Sequence, residues 1–499
     1  MLLAKTLKTN ISNIKLKFDN SQDIIVKQFK VAGLNCAILY LKGMTDVLFL
    51  TDFVIRPMQN IKTLPKQNVI THILNNVISF PEITEETDFK EVIKQITKGK
   101  VVLLFESNST AYLLELDKPR ERSLTEPPTS AVLKGPREGF NENIKTNLAV
   151  IRKIFSTNKL KTEMLTVGRV TTTQICVMYL KDIADKTLVR QIVNKLNTID
   201  IDGIIDSYYV AEFLTPHKRN MFKQLGNTEK PDIACAKMLE GKIVILVDGS
   251  PLAITLPYIL LEDFQAADDY YNISSHATFV RILRIVSCLI TVLLPGLYIA
   301  MQMFHYKAIP LKFLITITNS TQGLPLTPVT EILFVLILFE ILYEASLRMP
   351  EYLGIALSVV GALILGDTAV KAGLISPPAV MIVALSGITL YTIPDQASQL
   401  SLLRFMFTLA GSMLGFYGII ILSMFFVIYL NDFDNYKTPY LSPSSPFIKS
   451  DLKDSIIKRP LTDMVMRPKS FPIKNFRRLK KWLKKLVQCN ADCFCFYQL

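Results

Sequence analysis

"YLKGMTD" at residues 40–46 and "YLKDIAD" at 179–185 follow two apolar runs, "CAILYL" and "QICVMYL". The agreement widens when both are extended. "AILYLKGMTDVLFLTDFVIRPM" (37–58) lies over "CVMYLKDIADKTLVRQIVNKL" (176–196), each reading as an apolar strand, a turn with Asp, then an amphipathic helix. Downstream, "KGKVVLLFESNSTAYLLEL" (98–116) lies over "EGKIVILVDGSPLAITL" (240–256). Tyr40 and Tyr179 are 139 positions apart, and Gly99 and Gly241 are 142 apart. Two blocks at nearly one offset indicate an internal duplication. The second block reads as a β-hairpin, with Asp248-Gly249 supplying the positive φ of a tight turn and "ESNST" a longer turn upstream.

The reading places an N-terminal tail at 1–21, a first α/β subdomain at 22–118, a linker at 119–140 rich in Pro and charge, and a second α/β subdomain at 141–270. The chain has 499 residues, half of them hydrophobic, with 56 Lys+Arg against 43 Asp+Glu. The apolar excess is uneven: up to about residue 280 the sequence is charged and alternating, and beyond it long apolar runs dominate. The expected fold class is therefore α/β + α, two related cytosolic α/β subdomains followed by a polytopic helical membrane domain at 281–430. A basic cytoplasmic C-terminal tail, 431–499, completes it.

Within the apolar half, 281–304, 331–350, 352–374 and 405–430 are long enough to cross a bilayer, with a kink expected at Pro295. Residues 308–318 are too short. Residues 377–394, bracketed by Pro, suit a re-entrant segment. Basic residues gather at Arg281 and Arg284 and in "KNFRRLKKWLKKL" (474–486), so both flanks are expected on the cytoplasmic side with four crossings between them. The basic segment reads as a membrane-surface helix or a solvated one. "DDYY" (268–271) reads as a solvated juxtamembrane surface. The start of the chain has no apolar run long enough for a signal peptide.

Candidate chemistry is sparse. Ser250 invites a nucleophile reading, but no strand–turn–helix elbow surrounds it and turn chemistry accounts for it. His72, His217, His276 and His305 have no metal-ligand spacing. No glycine-rich phosphate loop occurs. The expectation is no enzyme, no cofactor, no metal and no nucleic acid. Cys36, Cys176, Cys235 and Cys288 sit in apolar contexts and read as core residues. Cys489, Cys493 and Cys495 read as a disordered or acylated tail rather than a metal site. Charges inside spans are costly and mark function. Glu340, Glu344 and Arg348 recur every four residues on one helix face, and Asp367 and Lys371 repeat the spacing. Both sets read either as helix-stapling ion pairs or as pore-lining groups. Small residues at Gly354, Ser358, Gly361, Ala362 and Gly366 permit close packing or a narrow lumen, with Leu365 among them.

"LKGPREGFNENIKTNLAVIRK" (133–153) resembles the A subunit of bacterial spore germinant receptors, the GerA family. The family's string falls on Lys134, Gly135, Pro136, Arg137, Gly139, Phe140, Glu142, Asn147, Ile151 and Arg152. "TEKPD", "LEGKIVILVDGSP", "DDYY", "LLPGLYIA", "EILYEASLRMP" and "GDTAVKAG" extend the resemblance over about residues 22–470. Lys230 stands where the family has Arg, Phe222-Lys223 where it has Phe-Pro, and Asp367-Thr368 in a motif commonly Gly-Gln-Ala-Ala-Val. The resemblance implies a multi-pass subunit of the spore inner membrane, with its N-terminal domain and C-terminal tail facing the spore core. Implied partners are a transporter-like B subunit, which carries the nutrient pocket, and a lipoprotein C subunit. It further implies a homo-oligomeric ring conducting cations when nutrient binds. A non-conducting scaffold for the partner transporter is the alternative, as is a related paralogue linked to dipicolinic acid release.

Overall fold

The computed structural model describes residues 2–61, 69–78, 80, 82–116, 134–218, 220–348, 361 and 364–479. Its first half holds two five-stranded antiparallel sheets. Strands β1 (Ile24–Val31), β2 (Leu34–Leu41), β3 (Ile83–Glu86), β4 (Val101–Phe105) and β5 (Ala111–Leu114) are ordered β1-β2-β4-β5-β3. Strands β6 (Leu160–Val167), β7 (Thr173–Leu180), β8 (Gly226–Thr228), β9 (Ile243–Val247) and β10 (Ala253–Leu256) repeat that order as β6-β7-β9-β10-β8. The duplication read from two sequence blocks is thus a duplication of topology.

Helices cover both faces of each sheet, which is why "CAILYL" and "QICVMYL" are unbroken apolar runs rather than alternating ones. In the first copy, α1 (Leu7–Lys17) and α2 (Phe89–Thr97) pack on Leu39 and Val102, while the helical stretch from Val47 presses Leu50, Val54 and Met58 onto Ile38 and Leu103. In the second copy, α3 (Ile144–Ile154) and α6 (Pro231–Leu239) pack on Cys176 and Val244, and α4 (Lys186–Asn197) and α5 (Ser207–Leu214) on Ile175 and Ile245. Cys36, Cys176 and Cys235 are buried thiols in these cores. Both echoed heptapeptides end on a helix N-cap. The Asp46 carboxylate accepts from the backbone N–H of Leu48 and Phe49 at 3.0 Å, and that of Asp185 from Leu188 at 3.3 Å.

The segment expected as a tail, 1–21, is instead part of the first copy. Leu7 precedes Ile144 by 137 positions, and α1 does in the first subdomain what α3 does in the second. Asn10 ties the chain ahead of α1 with two bonds to Ala4 (2.6 and 2.8 Å). Asn147 does the same for Asn141 ahead of α3 (2.6 and 2.9 Å). The first residue of each hairpin turn then accepts from the first N–H of its helix: Glu106 from Leu7 at 3.3 Å, Asp248 from Ile144 at 3.1 Å. Both turns contain five residues, 106–110 and 248–252, so the upstream one is no longer. In the second, Gly249 alone supplies the positive φ (+87°).

The second half is mostly helical: α7 (Ala267–Tyr271), α8 (Ser274–Met303), α9 (Leu311–Thr321), α10 (Pro328–Arg348), α11 (Pro377–Leu390), α12 (Ala397–Leu414) and α13 (Phe416–Asn431). Pro295 lies inside α8, which remains one helix. Among the described residues, α8 alone is long and apolar enough to cross a bilayer by itself; α11 and α12 meet that test only as a pair bent by 108°. The single span expected at 405–430 is broken at Gly415, whose φ of +61° turns α12 into α13. At that turn a Cβ on Gly418 would lie 2.3 Å from the Ala410 carbonyl oxygen, so the two helices approach to backbone contact. Of the small-residue stretch 352–374, residues 352–360, 362 and 363 lie outside the described residues.

The chain after α13 folds back over the second subdomain rather than trailing as a tail. Phe471 and Ile473 complete one of its cores and Tyr436 the other. Ile473 bridges Ala184, and the Lys474 N–H donates to the Ile183 carbonyl at 2.8 Å. That pairing keeps 474–479 out of the expected helix. Residues 480–499, with Cys489, Cys493 and Cys495, lie outside the described residues.

Candidate functional site

Two charged assemblies sit where the subdomains, the long helix and the C-terminal segment meet. The first is built on α7. Asp269 is buried, and its carboxylate receives Arg281 (3.0 Å) and Arg284 (2.9 Å), one helix further on. Arg281 also donates to Asp454 (3.0 Å) and to the Ser455 carbonyl (2.8 Å), while Tyr270 bonds Asp454 at 3.1 Å. Lys458 donates to the Asp269 carbonyl and, at 3.1 Å, to that of Asn272. Burial pushes the Tyr270 phenol well up, so it remains a donor. "DDYY" is therefore not the solvated surface expected throughout: Asp269 is buried and Tyr270 half-buried, while Tyr271 stays exposed. Arg281 and Arg284 are neutralised structural cations, not free charges marking a membrane side, because a guanidinium this buried needs a carboxylate beside it.

Beside it, Glu262 receives Lys242 and, at 2.5 Å, Lys237. Burial alone would raise the Glu262 carboxyl, but the two ammonium groups hold it down at about 2. Burial takes Lys242 down to about 8, against the pull of Glu262. Between the two subdomains, Asp23 pairs with Arg152, both about 1% exposed, and Ser21 joins Asp23 (2.6 Å) and Thr162 (3.0 Å).

The motif residues of the second subdomain are structural. Gly135 lies flat against Tyr271, where a Cβ would come 2.6 Å from the ring, and Pro136 follows it. The Phe140 side chain is buried and its N–H bonds Glu229 at 2.7 Å; Arg137 is two residues beyond Gly135 on the same approach. Asp248 caps α3, and the Gly249 N–H bonds the Glu142 carbonyl at 2.7 Å. Ser250 donates to Asp206 at 2.5 Å and lies 3.0 Å from Ser207, which ties the hairpin turn to α5.

In the helical half, Glu340 does not join Glu344 and Arg348. It crosses to α12, where Arg404 (2.9 Å) and Ser401 (2.6 Å) hold it. Arg404 is 2% exposed, and the polar chain continues through Ser386 (3.4 Å) to Thr291, which bonds Thr389 at 2.9 Å. Glu344 and Arg348 pair on the open face of α10 (2.8 Å), and Asp367 and Lys371 pair likewise (2.8 Å); all four are largely exposed. Gly361 sits against Leu342, 3.2 Å from where its Cβ would be. Leu365 lies in the short π-helical stretch Ile364–Thr368. Sequence reasoning missed Arg404 and Glu331. Glu331 is buried and accepts from the Ser376 N–H. Each is a charge at the edge of an apolar run, which was the available signal.

The family model "Bacillus/Clostridium GerA spore germination protein" matches residues 12–470. The chain belongs to the GerA family. It is 31% identical over 475 residues to spore germination protein KA of Bacillus subtilis (strain 168), covering 94% of this chain and 87% of that one. Spore germination protein GerLA of Bacillus cereus is 29% identical over 469 residues (93% and 95%), and the uncharacterized membrane protein YfkQ of B. subtilis 31% over 474 (94% and 92%). A solved structure, the N-terminal domain of the A subunit of the Bacillus megaterium spore germinant receptor GerK3, is 28% identical. It aligns over 51% of this chain and 96% of its own length with a TM-score of 0.41. The GerA family is one of germinant receptor A subunits, not a known enzyme class.

Proposed function

We propose that the chain is the membrane subunit of a spore germinant receptor and forms an oligomeric, nutrient-gated cation channel. It acts in the spore inner membrane beside a transporter-like B subunit and a lipoprotein C subunit. One observation carries the reading. The pairs Glu344–Arg348, at the end of the apolar helix α10, and Asp367–Lys371, on the short helical stretch 364–371, stand largely exposed on the single chain. Lipid does not accept such groups, whereas a water-filled lumen between copies does. In a ring each acid becomes a circle of charge, a known basis of cation selectivity. Multi-pass insertion follows if α11 with α12, and α10, cross or enter the bilayer beside α8. The buried Glu340–Arg404 pair then fixes α10 to α12, and nutrient on the partner favours the open ring by its differential affinity for the two states.

The test is reconstitution of the chain with its partner subunits in liposomes carrying an ion-sensitive dye. Nutrient-dependent flux is expected, with Asp367→Asn changing its rate or selectivity and Glu340→Gln raising spontaneous leak. Silence with every subunit and nutrient present removes the channel and leaves the scaffold reading.

A further inference from the structure

Residues 444–462 run from the foot of one apolar helix to the foot of another. Ser445 donates to the side-chain oxygen of Asn431, the last residue of α13, at 2.6 Å. At the other end the Lys458 N–H donates to the Thr278 hydroxyl, near the start of α8, at 3.1 Å. The Lys458 ammonium meanwhile holds the carbonyls of Asp269 and Asn272. Both helices expose large apolar side chains close to these contacts, Ile428 on α13 and Phe279 on α8.

The segment has one short helical turn, Asp451–Lys453, so its two-sidedness comes from hydrogen bonding and not from periodicity. Its two acids both face inward. Asp451 accepts from the Ser470 N–H and hydroxyl at 2.8 and 2.7 Å, and Asp454 from Arg281 and Tyr270 at 3.0 and 3.1 Å. Lys458 is buried by the contacts just described. The other three cations, Lys449, Lys453 and Arg459, are exposed, with no carboxylate partner among the described residues. Interleaved with them, Phe447 is 71% exposed, Ile457 56% and Leu461 54%.

Water does not favour three large apolar side chains so close together, and the bilayer interior does not accept three unpaired cations. The headgroup layer takes both, with apolar groups entering the acyl boundary and Lys or Arg reaching the phosphates. Because the acids are engaged inward, the outward charge is cationic, which selects an anionic surface over a zwitterionic one.

We propose that residues 444–462 form an interfacial strap that docks on anionic phospholipid headgroups. Phe447, Ile457 and Leu461 enter the acyl boundary, and Lys449, Lys453 and Arg459 meet the phosphates. The strap also holds Arg281 through Asp454, so headgroup charge bears directly on how α8 and α13 are fixed to the second subdomain. The proposal rests on the reading that α8 crosses the bilayer, and the experiment separates the two.

Trp482 is the single Trp of the chain, so Trp482→Phe gives a silent background for single-Trp probes. The full chain in that background is reconstituted in vesicles of phosphatidylcholine, alone or mixed with phosphatidylglycerol, whose acyl chains carry bromine, a contact quencher of Trp emission. Ile457→Trp should lose about half its emission in the mixed vesicles and clearly less in phosphatidylcholine alone. Leu461→Trp gives a second reading if Ile457→Trp does not fold. Adding Lys449→Glu, Lys453→Glu and Arg459→Glu together should erase the dependence on phosphatidylglycerol. Leu16→Trp, on the exposed side of α1 in the first subdomain, should stay unquenched, and Phe279→Trp reports whether α8 is inserted. Quenching at Phe279→Trp with none at the strap overturns the proposal and leaves the α8 reading standing. No quenching at Phe279→Trp overturns that reading, and the proposal with it. Strap quenching that ignores phosphatidylglycerol, or survives the triple charge reversal unchanged, refutes the headgroup contact. Blue-shifted but unquenched strap emission does so too, and assigns the face to a protein partner.

Discussion

Replacing Asp269 by Asn removes the one carboxylate that Arg281 and Arg284 share. Taking one partner from a buried ion pair costs about 3–5 kcal/mol, because the other charge stays buried without compensation. Here the lower end applies. Arg281 keeps Asp454 at 3.0 Å and the Ser455 carbonyl at 2.8 Å, and Arg284 keeps the Phe264 carbonyl at 3.0 Å. About 3 kcal/mol is roughly a 150-fold shift in the local opening equilibrium. Hydrogen exchange on the full chain reads it as faster exchange across residues 266–284 and 454–458, since Arg281, which the Asp269 carboxylate positions, joins the start of α8 to the segment 454–458. Glu91→Gln is the control: it breaks the exposed Lys94–Glu91 pair and should leave exchange unchanged there and elsewhere. An Asp269→Leu, Arg281→Met, Arg284→Met combination should recover much of the protection, because apolar replacement of a buried ionic group is often neutral. A change below about threefold in Asp269→Asn, no larger than the control, refutes the clamp.

Three further outcomes follow from the same geometry. Asn10→Ala and Asn147→Ala each delete two bonds that brace the start of equivalent helices, and each should lower stability in chemical unfolding by a similar amount, about 1–2 kcal/mol. Glu262 has a folded-state pKa of about 2 against an ordinary 4.5, so the unfolded chain binds the proton more readily. Its stabilisation, roughly 3 kcal/mol, is complete above about pH 4.5 and drains away toward pH 2, and Glu262→Gln should flatten that part of the melting-temperature profile. Gly411→Val should separate α12 from α8, because a Cβ at Gly411 would already sit 2.5 Å from the Gly296 carbonyl oxygen and one at Gly296 2.6 Å from that of Phe407. The expected readout is a lower melting temperature with α8–α12 exchange protection lost and the α/β subdomains unaffected.

The duplicated half was legible because its signals are local: an Asp ahead of a helix, a hairpin with its turn residues, an apolar run long enough for one central strand. Even α1 was within reach, since subtracting 137 from Ile144 lands on Leu7, yet the weak amphipathicity of "LKTNISNIKLK" hid it until Asn10 was seen to repeat Asn147. Composition also concealed the break at Gly415, because 405–430 is apolar on both sides of the glycine and hydropathy carries no information about φ. The junction failed for another reason. Rules that assign acids and bases flanking an apolar run to water or to one membrane face treat each charge as solvated, and Asp269 and Arg281 are 12 residues apart on separate helices. Their third partner, Asp454, is 173 residues further along. Where a charge meets the end of a long apolar helix, the prior question is whether an opposite charge lies within folding reach. At Arg281, Arg284 and Arg404 it does, and in each case the pair ties a long helix to the element that has to hold it.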